Sequence, residues 1–157
     1  MRDKLLEIRY TEYSSIDELN PEDRELAAEA IAAMQGSYAP YSHFNVGAAV
    51  RMSNSQIVRG ANQENAAFPS GMCAERTAMF AASARYPDKA MRSIAIAGGV
   101  YGRLTSAPCT PCGACRQVMA QYQTKAGAPM SVIMLGADSI WKFEKVDDIL
   151  PFIFDSI

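Results

Sequence analysis

Two short cysteine-containing segments carry residues that could do chemistry together. Cys73 is followed two residues later by Glu75, and a Cys-x-x-Cys pair, Cys112 and Cys115, lies further along the chain. Three thiolates can hold a zinc ion at three corners of a tetrahedron and leave the fourth position open for water. Glu75 is too close to Cys73 in sequence to be an ordinary second ligand, but it is well placed to take a proton from a water that the ion activates. The pattern indicates a hydrolytic zinc site.

A fourth cysteine leaves a second interpretation of the metal site open. Cys109 and Cys112 also form a Cys-x-x-Cys pair, so a closed structural zinc site with four thiolates is conceivable. Such a site would have no open position and would not need Glu75. Pro111 favours a helix that begins at Cys112, which makes Cys109 a bystander in the preferred interpretation. His43, the single histidine, is predicted to be a loop residue and not a ligand.

Composition limits the classes of partner. The chain has 157 residues and a formal net charge of -2, and its Lys and Arg residues are scattered, so no basic patch predicts a nucleic acid or a membrane as partner. This length predicts one domain over residues 1–157, in which residues 1–19 form an N-terminal arm without an assigned role. The mixed polar N-terminal residues do not predict a signal peptide, and four cysteines in such a chain predict a reducing, cytoplasmic location.

The order of predicted elements shows how the cysteine segments are positioned. Helices are predicted from Pro21 to near Gly36, over 75–83 and over 112–123, and strands over 44–52, 56–62, 94–97, 131–135 and 140–144. The short links at 53–55 and 136–139 allow only antiparallel pairing of the strands that they join. These elements predict an α/β fold, a three-layer α/β/α sandwich around a five-stranded mixed sheet. Both cysteine segments then fall at helix N-termini, where the helix dipole favours thiolates.

The two motifs together resemble those of the cytidine deaminase family. Cys-Ala-Glu-Arg at 73–76 and Pro-Cys-Gly-Ala-Cys-Arg at 111–116 match its zinc-binding pattern, and the similarity covers nearly all of the chain after the first twenty residues. The resemblance implies a zinc-dependent hydrolase of pyrimidine salvage that converts cytidine and deoxycytidine to uridine and deoxyuridine with release of ammonia. A deaminase of another amino-heterocycle, such as a nucleoside antibiotic, and a non-catalytic zinc-stabilised interaction domain are the alternatives.

The resemblance also implies contacts with a nucleoside. Asn62 and Glu64, two residues apart at a predicted strand end, can clasp a hydroxyl as donor and acceptor, and the family positions hold the ribose 3′-hydroxyl. Phe44 matches an aromatic residue that packs against the pyrimidine. The backbone N–H of Ala74 would contact the base carbonyl, and the backbone carbonyl of Thr110 would accept from the amino group.

Two arginines and two phenylalanines complete the expectations. Arg76 matches an arginine of the three-cysteine family members and would donate hydrogen bonds to the cysteine sulfurs, with Arg116 as a second candidate. Phe68 stands where the family commonly has tyrosine, so any hydrogen bond that the tyrosine hydroxyl makes is missing here. Phe154 ends a Leu-Pro-x-x-Phe motif whose last aromatic enters a neighbouring subunit's active site, so the resemblance implies a homotetramer. Phe154 as a core residue is the alternative.

Overall fold

The computed structural model describes residues 1–155, whose strands form one seven-stranded mixed sheet. The strands are β1 Thr11–Tyr13, β2 Phe44–Met52, β3 Ile57–Ala61, β4 Met91–Val100, β5 Arg103–Leu104, β6 Ser131–Leu135 and β7 Ile140–Phe143. Their order is β1-β7-β6-β4-β2-β3, with β5 paired to β4. Strands β4 and β6 run parallel, and all the other neighbouring strands pair antiparallel.

The prediction of five strands was two strands short. All five predicted strands are present, and the additional ones are β1, in the N-terminal arm, and β5, which has two residues. β1 pairs with the free edge of β7, and the adjacent Tyr10 ring lies 5.4 Å from the Trp141 ring and 5.3 Å from the Phe143 ring. Such a short strand gives no periodic signal of its own, because its pairing depends on partners that are distant in sequence.

Three helices cover the two faces of the sheet, as the three-layer prediction requires. They are α1 Pro21–Ala33, α2 Ala74–Arg85 and α3 Gly113–Ala126. α1 packs on one face, and α2 and α3 pack on the other. α1 lies so close to β2 that a Cβ atom at Gly47 would be 2.2 Å from the carbonyl oxygen of Ala30. None of the described helices combines the length and apolar character needed to cross a membrane.

The topology brings the first turns of α2 and α3 to the same edge of the sheet. α2 leads into β4, and α3 leads into β6. Because β4 and β6 are parallel, the N-termini of both helices lie near the carboxyl ends of these strands. This edge therefore collects the residues that begin the two helices, including both cysteine segments.

Candidate active site

Three cysteine sulfurs converge where α2 and α3 begin. Cys73 is the N-cap residue of α2, Cys112 is the N-cap residue of α3, and Cys115 lies in the first turn of α3. The Sγ atom of Cys112 is 3.9 Å from that of Cys73 and 3.5 Å from that of Cys115, and the three atoms all lie within 4.8 Å of one another. Tetrahedral zinc with Zn–S bonds of about 2.3 Å needs sulfurs about 3.8 Å apart. The three sulfurs therefore fit one zinc ion.

Cys109 lies outside this cluster. Within residues 1–155, the side chains that could hold a metal ion together are Cys73, Cys112 and Cys115. Burial, and to a smaller extent the charge of Glu75, raise the pKa of the Cys109 thiol to about 11. Cys109 is therefore a protonated thiol among apolar groups, and the arrangement does not support a closed site with four thiolates.

The electrostatics of the cluster favour ionised sulfur. Hydrogen bonding from Cys115, and then from Arg76, lowers the pKa of Cys73 to about 5 against the opposing effect of burial. The same bond to Cys73, together with burial, raises the pKa of Cys115. Without a metal ion, Cys73 therefore ionises first and Cys115 keeps its proton. A metal cation bound to both sulfurs would displace that proton.

Arg76 provides the positive charge beside these sulfurs. Its Nη2 atom lies 3.5 Å from the Sγ atom of Cys73, and its Nε atom is buried without a hydrogen-bond partner among the described residues. Hydrogen bonds to Cys73 and Cys115 raise the pKa of Arg76. Three thiolates carry more negative charge than the metal-free cysteines. The buried free N–H of Arg76 can donate a hydrogen bond to this additional charge.

Arg116, the second candidate donor, is bonded elsewhere. Its Nε atom donates to the carbonyl oxygen of Pro111 at 2.9 Å, and its Nη1 atom donates to the carbonyl oxygen of Ile149 at 3.3 Å. Arg116 therefore ties the segment before α3 to the C-terminal segment. Among the described residues Arg116 makes no hydrogen bond to the three sulfurs, so the structure does not support it as their second donor.

Glu75 is a buried carboxyl group at the edge of the sulfur cluster. It lies in the first turn of α2 and is 4% exposed. Burial raises its pKa most, and the charge of Cys73 adds to this, while hydrogen bonds from its own backbone N–H and from Cys115 oppose the shift. A buried carboxyl group with a raised pKa is a good proton acceptor and donor near neutral pH. The neighbouring N–H of Ala74, also buried, has no acceptor within its own helix at this first position.

A cavity of about 620 Å³ opens beside Cys73 and Arg76. Asn62 and Glu64 line it, so the structure brings the predicted ribose contacts to the same cavity as one sulfur of the cluster. Phe44, Ala74 and Thr110 are not among its lining residues. Thr110 instead lines another cavity, of about 390 Å³, which Ile8 and Tyr10 of the N-terminal arm also line.

The Asn62 side chain is largely engaged with the backbone. Its Oδ1 atom accepts from the N–H of Val46 at 2.8 Å and from the hydroxyl of Ser37, and its Nδ2 atom donates to the carbonyl oxygen of Phe44 at 2.9 Å. Within the described residues one N–H of the amide has no partner. Asn62 therefore fixes the start of β2 and keeps a single donor for a ligand.

Glu64 is held by the loop that precedes β2. Its Oε2 atom accepts from the backbone N–H of Tyr41 at 2.8 Å and of Ser42 at 3.2 Å. Hydrogen bonds from the Ser42 side chain, and then from the Tyr41 backbone, lower the pKa of Glu64. The carboxyl group is thus ionised at neutral pH, and because both backbone N–H groups bind Oε2, the carboxylate keeps acceptor capacity on Oε1 for a ligand.

Two phenylalanines are exposed, one at the 620 Å³ cavity and one near the C-terminus. Phe68 is 80% exposed, and its ring lies edge-on to the Tyr41 ring at 6.3 Å. Phe154 is 68% exposed, so the alternative of a core residue is wrong. The backbone of Phe154 is nevertheless fixed, because the Gln117 side chain donates to its carbonyl oxygen at 2.6 Å and accepts from its N–H at 3.4 Å. Sequence reasoning missed Gln117, which the helical pattern places only as one residue of α3.

Comparison with known proteins identifies the family. Residues 20–128 match the family model described as the cytidine and deoxycytidylate deaminase zinc-binding region. The chain is 49% identical over 100 residues to a cytidine deaminase of Halalkalibacterium halodurans. The aligned segment covers 63% of this chain and 71% of that protein. The chain is 40% identical over 98 residues to a cytidine deaminase of Sporosarcina psychrophila, with coverage of 62% and 68%.

Solved structures agree with this match. The crystal structure of a cytidine deaminase from Burkholderia pseudomallei superposes with a TM-score of 0.68 at 36% identity, covering 83% of this chain and 97% of that one. A cytidine deaminase from Mycobacterium tuberculosis gives a TM-score of 0.68 at 27% identity, covering 87% and 100%. The chain belongs to the cytidine deaminase family of zinc-dependent hydrolases, as its two motifs predicted.

Proposed function

We propose that this enzyme hydrolyses free cytidine and deoxycytidine to uridine and deoxyuridine with release of ammonia. The observation that carries the proposal is the position of Glu75. Its carboxyl group is buried in the first turn of the helix that Cys73 begins, beside three sulfurs spaced for one zinc ion. A structural zinc site has no use for a buried proton carrier at this point, whereas a hydrolytic site needs one.

Each residue near the cluster has a part in the proposed reaction. Cys73, Cys112 and Cys115 would hold Zn²⁺, which when bound supplies Lewis-acid activation of a water molecule. Glu75 accepts one proton from this water and delivers it to ring N3, then accepts the second proton of the same oxygen and delivers it to the departing amine. The water oxygen bonds to C4, the C4–N bond breaks, and ammonia leaves. Arg76 offsets the negative charge of the three thiolates through its bond to Cys73.

The nucleoside would be held on two sides. Asn62 and Glu64 retain one free donor and one free acceptor at the 620 Å³ cavity, and a ribose 3′-hydroxyl can use both. We assign Phe44 to contact with the pyrimidine ring, the N–H of Ala74 to the base carbonyl, and the carbonyl of Thr110 to the amino group. Because Phe44 and Thr110 do not line this cavity, the base would lie deeper than the ribose, towards Glu75.

The substrate should be a free nucleoside and not a base within a polynucleotide. Binding of a polynucleotide requires cationic groups along the path of the phosphates, and this chain has a net charge of -2. Glu64 adds a specific obstacle, because hydrogen bonds lower its pKa and keep it ionised. A 3′-phosphate would place one to two negative charges beside this carboxylate, which repels them.

The assembly is a further part of the proposal. Phe154 is exposed while Gln117 fixes its backbone, an arrangement that suits insertion of the ring into a neighbouring subunit. We therefore propose a homotetramer of chains, each a single deaminase domain over residues 1–157, with active sites at subunit interfaces. A cytoplasmic role in pyrimidine salvage is consistent with four free cysteines among the described residues.

One assay on purified protein tests the function directly. The loss of cytidine absorbance and the release of ammonia should be followed on samples whose zinc content is measured in parallel. We expect one zinc per chain, turnover of cytidine and deoxycytidine, and very poor use of 3′-phosphorylated cytidine and of cytosine in single-stranded DNA or RNA. A zinc-loaded protein that turns over neither nucleoside would refute the proposal.

A further inference from the structure

Gly98 lies in close contact with two side chains near the active site. A Cβ atom at Gly98 would be 2.5 Å from the Sγ atom of Cys109 and 3.1 Å from both Cε1 and Cζ of the Phe44 ring. Optimal contacts between carbon atoms are about 3.5–4.0 Å, so these separations leave no space for a methyl group. The ring of Phe44 and the thiol of Cys109 thus occupy the volume that a side chain at position 98 would need.

The register of the sheet explains why these groups meet. Val46 pairs with Gly98 and Phe44 pairs with Val100 across β2 and β4, so Phe44 and Gly98 are diagonal neighbours on one face. Val46 and Cys109 pack against the core cluster on the α2 and α3 side of the sheet. The contact is therefore on the face that carries Glu75 and the three sulfurs.

The backbones of both partner residues are fixed. The N–H of Cys109 donates to the carbonyl oxygen of Leu135 at 3.0 Å, which anchors its loop to the end of β6. The carbonyl oxygen of Phe44 accepts from the Asn62 amide at 2.9 Å. These hydrogen bonds prevent either backbone from moving away from the contact. The position of the Phe44 ring therefore depends on the space that the side chains at positions 98 and 109 leave for it.

We propose that Gly98 and Cys109 form a seat for the Phe44 ring and so determine how the pyrimidine fits the active site. Both are positioning residues that act through Phe44. The inference rests on the proposed function, in which Phe44 contacts the base. It gives Cys109 a role other than metal binding, and it accounts for a glycine in the interior of a ten-residue strand.

A double-mutant cycle tests the seat. Gly98→Ala should raise KM for cytidine, and the dissociation constant for uridine, on the order of tenfold with kcat changed less than about threefold, because the new methyl group displaces the ring. Zinc content should stay at one per chain. Adding Cys109→Ala removes the sulfur that the new Cβ atom would meet at 2.5 Å and leaves only the 3.1 Å contact with the ring, so the double variant should recover part of the lost affinity.

Gly36→Ala is the matched control, because its Cβ atom would meet only the Cβ atom of Ala61, at 3.5 Å. It should leave KM unchanged. A double variant no better than Gly98→Ala, or loss of zinc from Gly98→Ala, would overturn the inference. Failure of the proposed function is distinct, because the wild-type protein would then not deaminate cytidine.

A second route keeps the test decisive if Gly98→Ala does not fold. Cys109→Met lengthens the side chain against the same ring and should also raise KM with zinc retained. In a Phe44→Leu background, where the ring is absent, Cys109→Met should cause no further increase. An equal increase in both backgrounds would show that Cys109 acts on the site without Phe44, and the inference would be wrong.

Discussion

Replacement of Glu75 by glutamine removes the proton carrier and nearly preserves the shape of the side chain. The amide cannot accept and return protons, and the position is only 4% exposed, so bulk water cannot readily substitute for the carboxylate. General acid–base groups typically contribute about 10²–10⁴-fold to rate. Since Glu75 would handle several proton transfers in one turnover, we expect kcat to fall by at least about 10⁴-fold, or about 5.5 kcal/mol.

The variant should still fold and bind zinc. Burial is the main cause that raises the pKa of Glu75, which means that the folded chain disfavours the ionised carboxylate. Glutamine carries no charge at this position, so the substitution relieves this cost and leaves the three cysteines in place. Zinc per chain and the melting temperature should therefore be no lower than in the wild-type protein.

The assay is continuous absorbance loss with cytidine, checked by ammonia release, on samples of known zinc content. Glu144→Gln is the matched control, because this carboxylate is exposed and forms only a 3.4 Å ion pair with Lys142. The control should keep wild-type kcat. A Glu75→Gln protein that retains zinc and a tenth of wild-type turnover would refute the assignment of Glu75 as proton carrier.

Three further predictions concern the metal, the substrate and the assembly. Cys73→Ala should lose zinc and activity by metal analysis and assay, while Cys109→Ser should retain its zinc; loss of zinc from the latter would mean that the ligands are misassigned. Glu64→Gln should weaken use of cytidine but reduce the penalty against 3′-phosphorylated cytidine, and an unchanged penalty would place Glu64 elsewhere. Gln117→Ala removes both bonds to the backbone of Phe154, so sedimentation should show a weakened tetramer; an active wild-type monomer would contradict this assembly.

The metal site was predictable because its determinants are local in sequence. A helix N-terminus favours a thiolate, and the sequence alone places both cysteine segments there: Pro111 marks the helix start at Cys112, and Cys73 precedes the helical pattern over 75–83. The parallel pair β4 and β6 then brings the two helix starts together. The three layers followed in the same way from alternating helical and strand patterns, since each element has its own periodicity.

The features that were missed depend on contacts between distant residues. Next to β1, the Tyr10 ring stacks on the Phe143 ring and lies tilted against the Trp141 ring, about 130 residues away in the sequence, and these contacts hold β1 at the sheet edge. Gln117 binds the backbone of Phe154 across 37 residues. Neither pairing leaves a local pattern, because a single aromatic or amide side chain looks the same whether or not it finds such a partner.

Asn62 shows how one residue can serve the fold and the site together. Its amide fixes Val46 and the backbone of Phe44, so the same group that offers a donor to the ribose also sets the strand that carries the base contact. Loss of activity on substituting Asn62 would therefore not separate binding from structure. Glu64 is the better probe of the ribose contact, because glutamine retains an oxygen for the loop N–H groups of Tyr41 and Ser42 while removing the charge that repels a phosphate.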